Sequence, residues 1–151
     1  MNEVREMVVE EFCRLAVKYD LQHLNLQFTD AKRKLGTYRH RHGEILISNY
    51  ILQDADVAID TIRHEIAHAI DWSRNGTSDH SDRWKAIAKE VGARPSRTVN
   101  VTHIAPPRRY ELYCPKCDRV AARMHRRARI QYIHKTCGTN LTVRDTNERR
   151  I

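Results

Sequence analysis

Apolar residues recur at three- and four-residue intervals in three stretches of this chain and alternate with polar ones in three others. Val4, Met7, Val8, Phe12, Leu15, Ala16 and Tyr19 share one face, which predicts an amphipathic helix over residues 3–19. Leu24-Asn25-Leu26-Gln27-Phe28 then alternates as a half-buried strand does. Lys34 to Arg39 reads as a second strand and Ile45 to Ser48 as a third, with Arg41-His42-Gly43-Glu44 as the turn between them. His40 and His42 flank that turn and are expected as exposed loop residues. Helical spacing returns with Ile59, Ile62, Ile66, Ala69 and Ile70, predicting a helix over residues 55–74. Asp54 and Asp56 suit its start and Asn75-Gly76 its end. A last helix is expected from Asp82 to Val91, with Ser81 as N-cap, Trp84, Ile87, Ala88 and Val91 as its apolar stripe, and Gly92 as its C-cap.

Beyond this helix the regular pattern stops. Pro95 and Pro106-Pro107 break regular structure, and Arg108-Arg109 add charge. The expected organisation is an α+β core over residues 1–93, a linker over 94–109 and a small β unit over 110–151. A chain of 151 residues, 40% of them apolar, suffices for one such core with an appendage. It holds no apolar run of about twenty residues, so no membrane-spanning helix is expected. Its N-terminus is polar and unlike a signal peptide, which points to a cytoplasmic protein.

Charge divides the chain more sharply than composition does. Residues 1–93 hold 13 Lys+Arg against 15 Asp+Glu, whereas residues 94–151 hold 14 against 4. The net charge of +8 therefore belongs to the C-terminal third and suggests a polyanionic partner, nucleic acid first.

The central helix also carries His64-Glu65-Ile66-Ala67-His68, an H-E-x-x-H pattern. Residues four apart on a helix differ by about 40° around its axis, so both imidazoles point the same way and are spaced to hold one metal ion. Glu65 lies beside them, placed to reach a water rather than the metal. His80 follows a short loop and supplies the third ligand that a catalytic zinc needs, leaving the fourth position for solvent. A metzincin would need Gly and His where Asp71 and Arg74 stand, so that arrangement fails. A thermolysin-like site would use Glu90, which lies off its helix's apolar stripe and ranks below His80. Asp71, one turn past His68, is a candidate to orient a ligand imidazole; an exposed helix residue is the equal alternative.

A second constellation lies near the C-terminus: Cys114 and Cys117 separated by two residues, then His134 and Cys137 with the same separation. Paired knuckles of this kind are what a tetrahedral structural zinc requires, and with little core of its own the segment is expected to need the metal to fold. Cys13, alone in the first helix, is expected as a small buried side chain. Between the knuckles Arg123, His125, Arg126, Arg127 and Arg129 crowd a predicted hairpin beside Tyr132. Arginines bind phosphate and an aromatic ring can stack on an unpaired base, so Arg123, Arg126, Arg127, Arg129 and Tyr132 are the candidate nucleic-acid contacts.

The H-E-x-x-H pattern, the following His80-Ser81-Asp82-Arg83-Trp84-Lys85, then Gly92-Ala93-Arg94-Pro95-Ser96-Arg97-Thr98, together with the upstream Gly43 to Asn49, resemble the SprT-like (Spartan-related) metalloprotease family over roughly residues 5–143. The resemblance implies a zincin-like α+β core in which His64, His68 and His80 hold a catalytic zinc and Glu65 serves as acid/base. It also implies protein substrates on or near DNA, as in single-stranded or crosslinked complexes, with the ribbon contacting DNA. His134 departs from the cysteine more usual in the family's ribbons. The strand Ile45–Ser48 is expected as the cleft edge on which an extended substrate lies. The rival readings are a DNA-binding adaptor with a vestigial protease core and a metal-dependent nuclease. The complete histidine set with Glu65 argues against the first, and the lack of clustered carboxylates against the second.

Overall fold

The computed structural model describes residues 2–98, 104 and 108–146. It divides into two units, Met1–Ala105 and Pro106–Ile151. Pro106 and Pro107, expected to break regular structure in the linker, lie outside the described residues.

The first unit begins with α1 (Asn2–Lys18), which buries Val8, Phe12, Leu15 and Ala16. This is most of the face its periodicity forecasts, although Met7, expected on it, is exposed. Cys13, expected inside, is exposed instead, because it sits a helical step outside that stripe. Three short strands follow: β1 (Asn25–Thr29), β2 (Gly36–Arg39) and β3 (Glu44–Ser48). The turn between β2 and β3 is one 3-10 turn, His40–His42, closed by Gly43 in the left-handed region. β2 pairs antiparallel with β3, and β1 pairs parallel with it, from Asn25 opposite Glu44 to Thr29 opposite Ser48.

The sheet order is therefore β1-β3-β2. That overturns the expectation that Ile45–Ser48 forms an open edge, since β3 is hydrogen-bonded on both sides. Ile45 and Ile47 are fully buried, as a central strand demands. Among the described residues β1 and β2 are the two edge strands, and β2 is the one that packs against α2.

After a 3-10 segment, Asn49–Gln53, the chain enters α2 (Ala55–Asn75). Asp54 caps it, its carboxylate accepting the backbone N–H of Val57 at 3.1 Å. Gly76, at φ 66°, ends it with its N–H on the Trp72 carbonyl, a conformation that costs glycine nothing. α2 packs against α1, against the sheet and against α3 (Asp82–Glu90). Ile62, Ile66, Ala69 and Ile70 fill the core from one side of α2, Trp84, Ile87 and Ala88 from α3. Ile104, within the segment read as linker, is buried in the same core.

The second unit is antiparallel: β4 (Tyr110–Cys114), β5 (Arg119–Met124) and β6 (Thr142–Asp145), in the order β5-β4-β6. Its buried apolar cluster is only Leu112, Cys114 and Leu141, flanked by partly buried neighbours. The expected hairpin between the two cysteine knuckles does not form. The first knuckle instead sits in the β4–β5 turn, and the arginine-rich stretch after Met124 runs as a loop. The two sheets and three helices make an α+β fold, and among the described residues no helix is long and apolar enough to cross a membrane.

β2 reaches α2 at a residue without a side chain. A Cβ on Gly36 would lie 2.6 Å from Thr61 Cγ2 and 2.7 Å from Glu65 Oε1, nearer than real Cβ atoms approach. Gly36→Ala should therefore push the edge strand off the helix at a cost of about 1–3 kcal/mol. For a unit of about 100 residues each kcal/mol of that cost lowers the thermal midpoint by about 4–8 °C. An unshifted melting curve for the full chain would show that strand and helix do not meet this tightly.

Candidate metal centre and cleft

α2 presents His64 and His68 on the side away from its isoleucines, and the loop after Gly76 returns His80 to them. The Nε2 atoms form a near-equilateral triangle: 3.1 Å from His68 to His64, 3.1 Å from His68 to His80 and 3.2 Å from His80 to His64. Nitrogens bound at about 2.0–2.1 Å around one tetrahedral ion lie roughly 3.3 Å apart, so the spacing fits a single zinc. Three neutral imidazoles cannot all satisfy one another at such a point, because each ring has one N–H and each facing nitrogen meets two others. The donor set is that of a cation site.

Burial keeps these rings ready to ligate. Loss of hydration, reinforced by repulsion from His80, brings His64 down to about 4; burial and the other two rings bring His68 to about 4 as well. His80 is lowered by burial and by the Arg97 cation. Neutral imidazole, the form that binds metal, is thus favoured at all three.

Trp84 forms their floor, a role the sequence reading missed by assigning it to the core stripe alone. It is fully buried, with its ring centroid 4.6, 5.0 and 4.7 Å from those of His64, His68 and His80. Ser78 was also missed. Its Oγ lies 2.6 Å from His68 Nδ1, so a His68 that turns the Nε2 lone pair inward donates its Nδ1 proton to Ser78. The Ser78 hydroxyl hydrogen-bonds in turn to Asp71. Asp71 is not an exposed helix residue: it is completely buried, gripped by Arg83 at 2.7 and 3.3 Å and by Asn75 at 2.9 Å. Burial pushes its carboxyl up, but these hydrogen bonds outweigh that and leave it below the usual range. Asp71 thus reaches His68 through Ser78 rather than directly. Glu90, the alternative ligand, faces outward and pairs with Arg74.

Glu65 is 7% exposed and lies against Gly36. Burial raises its carboxyl to about 7, against a hydrogen bond from the Tyr38 backbone N–H that lowers it. A cleft of about 920 Å³ opens over Glu65 and the histidines, with β2 along one side. His40, expected as a plain loop residue, is exposed but stacks on Trp72 at 3.8 Å along this cleft.

In the second unit Cys114, Cys117, His134 and Cys137 place their ligand atoms within 4.8 Å of one another. Cys114 Sγ is 3.5 Å from Cys137 Sγ, and His134 Nδ1 is 3.2 Å from the same sulfur. Ligands of zinc at about 2.3 Å would be roughly 3.8 Å apart, so this group is also compatible with zinc. The hydroxyl and backbone N–H of Thr139 hold Cys137 down at about 5, as a thiolate, and that neighbour pushes Cys117 up to about 11. A cation between them would relieve the conflict. Gly138, at φ 70°, turns the chain so that its N–H reaches the His134 carbonyl at 2.8 Å.

The candidate nucleic-acid residues are dispersed over the second unit. Arg126, Arg127 and Arg129 line a hollow of about 670 Å³ with Tyr110 and His125. Tyr132 is 39% exposed outside that hollow, and Arg123 is paired with Glu111 at 3.3 Å.

No curated protein and no solved structure matches the chain. A family model described as the SprT-like family matches residues 2–103, a span that takes in the three described α-helices, the mixed sheet and the entire histidine cluster and stops before the group of Cys114, Cys117, His134 and Cys137. With a metalloprotease-like unit of this extent and a histidine group able to hold a metal, the chain belongs to the SprT-like family.

Proposed function

We propose that this protein is a zinc-dependent metallopeptidase acting on proteins on or near DNA, with its basic second unit holding the nucleic acid. One observation carries the reading: a buried carboxylate, Glu65, lies beside three converging imidazole nitrogens at the base of an open cleft. His64, His68 and His80 would hold the catalytic zinc, and Cys114, Cys117, His134 and Cys137 a structural one. Zinc, when bound, supplies Lewis-acid polarisation of a carbonyl and acidifies water. Glu65 accepts the proton of the attacking water and returns it to the leaving amine nitrogen, a role its raised affinity for protons suits. β2 is an edge strand beside the cleft, and its outward backbone groups offer an extended substrate a place to pair. The contact with DNA is supported by the charge of residues 94–151 and by Arg126, Arg127 and Arg129 around one hollow, with Tyr132 available for stacking. Arg123, already paired with Glu111, contributes less.

Glu65→Gln should retain two zinc ions per chain by elemental analysis while cleavage of an unfolded protein falls by about 10²–10⁴-fold. Undiminished proteolysis by that variant removes the proposed chemistry, and no proteolysis by the unaltered, zinc-loaded chain leaves the DNA-binding adaptor. Ser78→Ala should weaken zinc at the histidine site by about 10–100-fold in a chelator competition and leave the cysteine site unchanged, with Ser78→Thr restoring it. Equal zinc affinity in all three proteins would mean that Ser78 does not orient His68. Affinity for single-stranded DNA should fall steeply with added salt and drop again when Arg126, Arg127 and Arg129 are all changed to Ala. A salt-independent affinity would discard the nucleic-acid contact.

A further inference from the structure

Over residues 1–105 the first unit is balanced, with 15 Lys+Arg against 15 Asp+Glu, yet its cleft is positive. Arg33 and Lys34 line one end and Arg97 faces His80, and the one carboxylate among the lining residues is Glu65, buried and committed to the centre. All three cations are exposed, and none is ion-paired within the described residues. Elsewhere on the same unit arginines find carboxylates readily: Arg14 and Arg63 share Glu11, Arg39 takes Glu44, Arg74 takes Glu90 and Arg83 takes Asp71. Arg5, Arg41 and Arg94 are likewise without an ion pair among the described residues, so what sets the cleft apart is the gathering of three such cations around a lining with no exposed carboxylate.

Strand geometry gives the cleft a direction. β2 and α2 run the same way, since Gly36 sits on Thr61 and Glu65 while His40 sits on Trp72. The Leu35 carbonyl is turned toward β3, where it accepts the Ser48 N–H, and alternation turns the backbone groups of Gly36 and Tyr38 away from β3, the Tyr38 N–H toward Glu65. A segment adding antiparallel to β2 therefore runs from the His40–Trp72 end toward Arg33 and Lys34. The residues after the scissile bond come to lie among the cations.

We propose that this cleft selects extended protein segments bearing Asp or Glu on the C-terminal side of the cleaved bond, recognised by Arg33, Lys34 and Arg97. The inference rests on the metallopeptidase reading and names its substrate class. A protein segment fits better than nucleic acid because the cations share a cleft with the catalytic carboxylate and an open strand edge. Solvent-exposed ion pairs are individually weak, so three together amount to about a tenfold preference, and salt should erode it.

The test uses the full zinc-loaded chain and unstructured peptides identical except at three positions, which carry Glu, Ser or Lys either after or before a common cleavage site. The kcat/KM for Glu after the site should exceed that for Ser by about tenfold, with Lys lowest, and the ratio should approach one in high salt. Arg33→Glu with Lys34→Glu should collapse or invert it. Anisotropy titrations of the same peptides with the Glu65→Gln protein read the preference without turnover. Equal use of all peptides, a preference on the N-terminal side, or an unchanged ratio in the double variant would overturn the proposal. So would a double variant that loses only single-stranded DNA affinity, which would assign these cations to nucleic acid. Absence of Glu65-dependent cleavage with the binding preference intact would remove the peptidase reading and leave the acidic-segment site.

Discussion

Three imidazole nitrogens held 3.1–3.2 Å apart form an arrangement that the rings satisfy poorly among themselves and that no other described side chain completes with a hydrogen bond. Their lone pairs converge, their rings are deprived of water, and Trp84 closes the space beneath them. Such a cluster is held together by what surrounds it: α2 fixes two of the rings by helical spacing, and the Gly76–Ser81 loop fixes the third. The hydrophobic core and the polar centre are opposite faces of α2, so the packing of Ile62, Ile66 and Ile70 sets the direction in which His64 and His68 look. The sheet enters through Gly36, whose missing side chain lets the edge strand rest on Glu65.

The parts of this arrangement that the sequence made legible are those governed by short-range periodicity. A four-residue step on a strongly patterned helix places His64 and His68 together whatever the rest of the chain does. Asp54 and Asn75-Gly76 bound that helix with side-chain and backbone chemistry that acts locally. His80 was within reach because the loop before it is short. The two cysteine knuckles are legible for the same reason, each being a single turn.

What could not be read depends on packing between distant elements. Alternation identifies Glu44–Ser48 as a strand but says nothing of its neighbours, and only the pairing with β1 makes it central and leaves β2 at the edge. Apolar character alone suggested a buried Cys13, whereas the stripe through Val8, Phe12, Leu15 and Ala16 leaves it outside. Asp71 looked equally suited to solvent until α3 brought Arg83 against it. Ser78 has no pattern at all; its part follows from a loop conformation that the neighbouring helices impose.

That loop spans only Gly76 and the four residues Thr77, Ser78, Asp79 and His80 between the end of α2 and Ser81, which precedes α3. Two of those four side chains touch the imidazole centre, one directly and one through His68, while Asp79 steadies the turn by accepting the Ser81 N–H at 2.9 Å. The connection therefore behaves as a ruler. Lengthening it by a single residue would misplace a ligand and the prop of another at once, so among relatives that keep this centre the span should be close to constant.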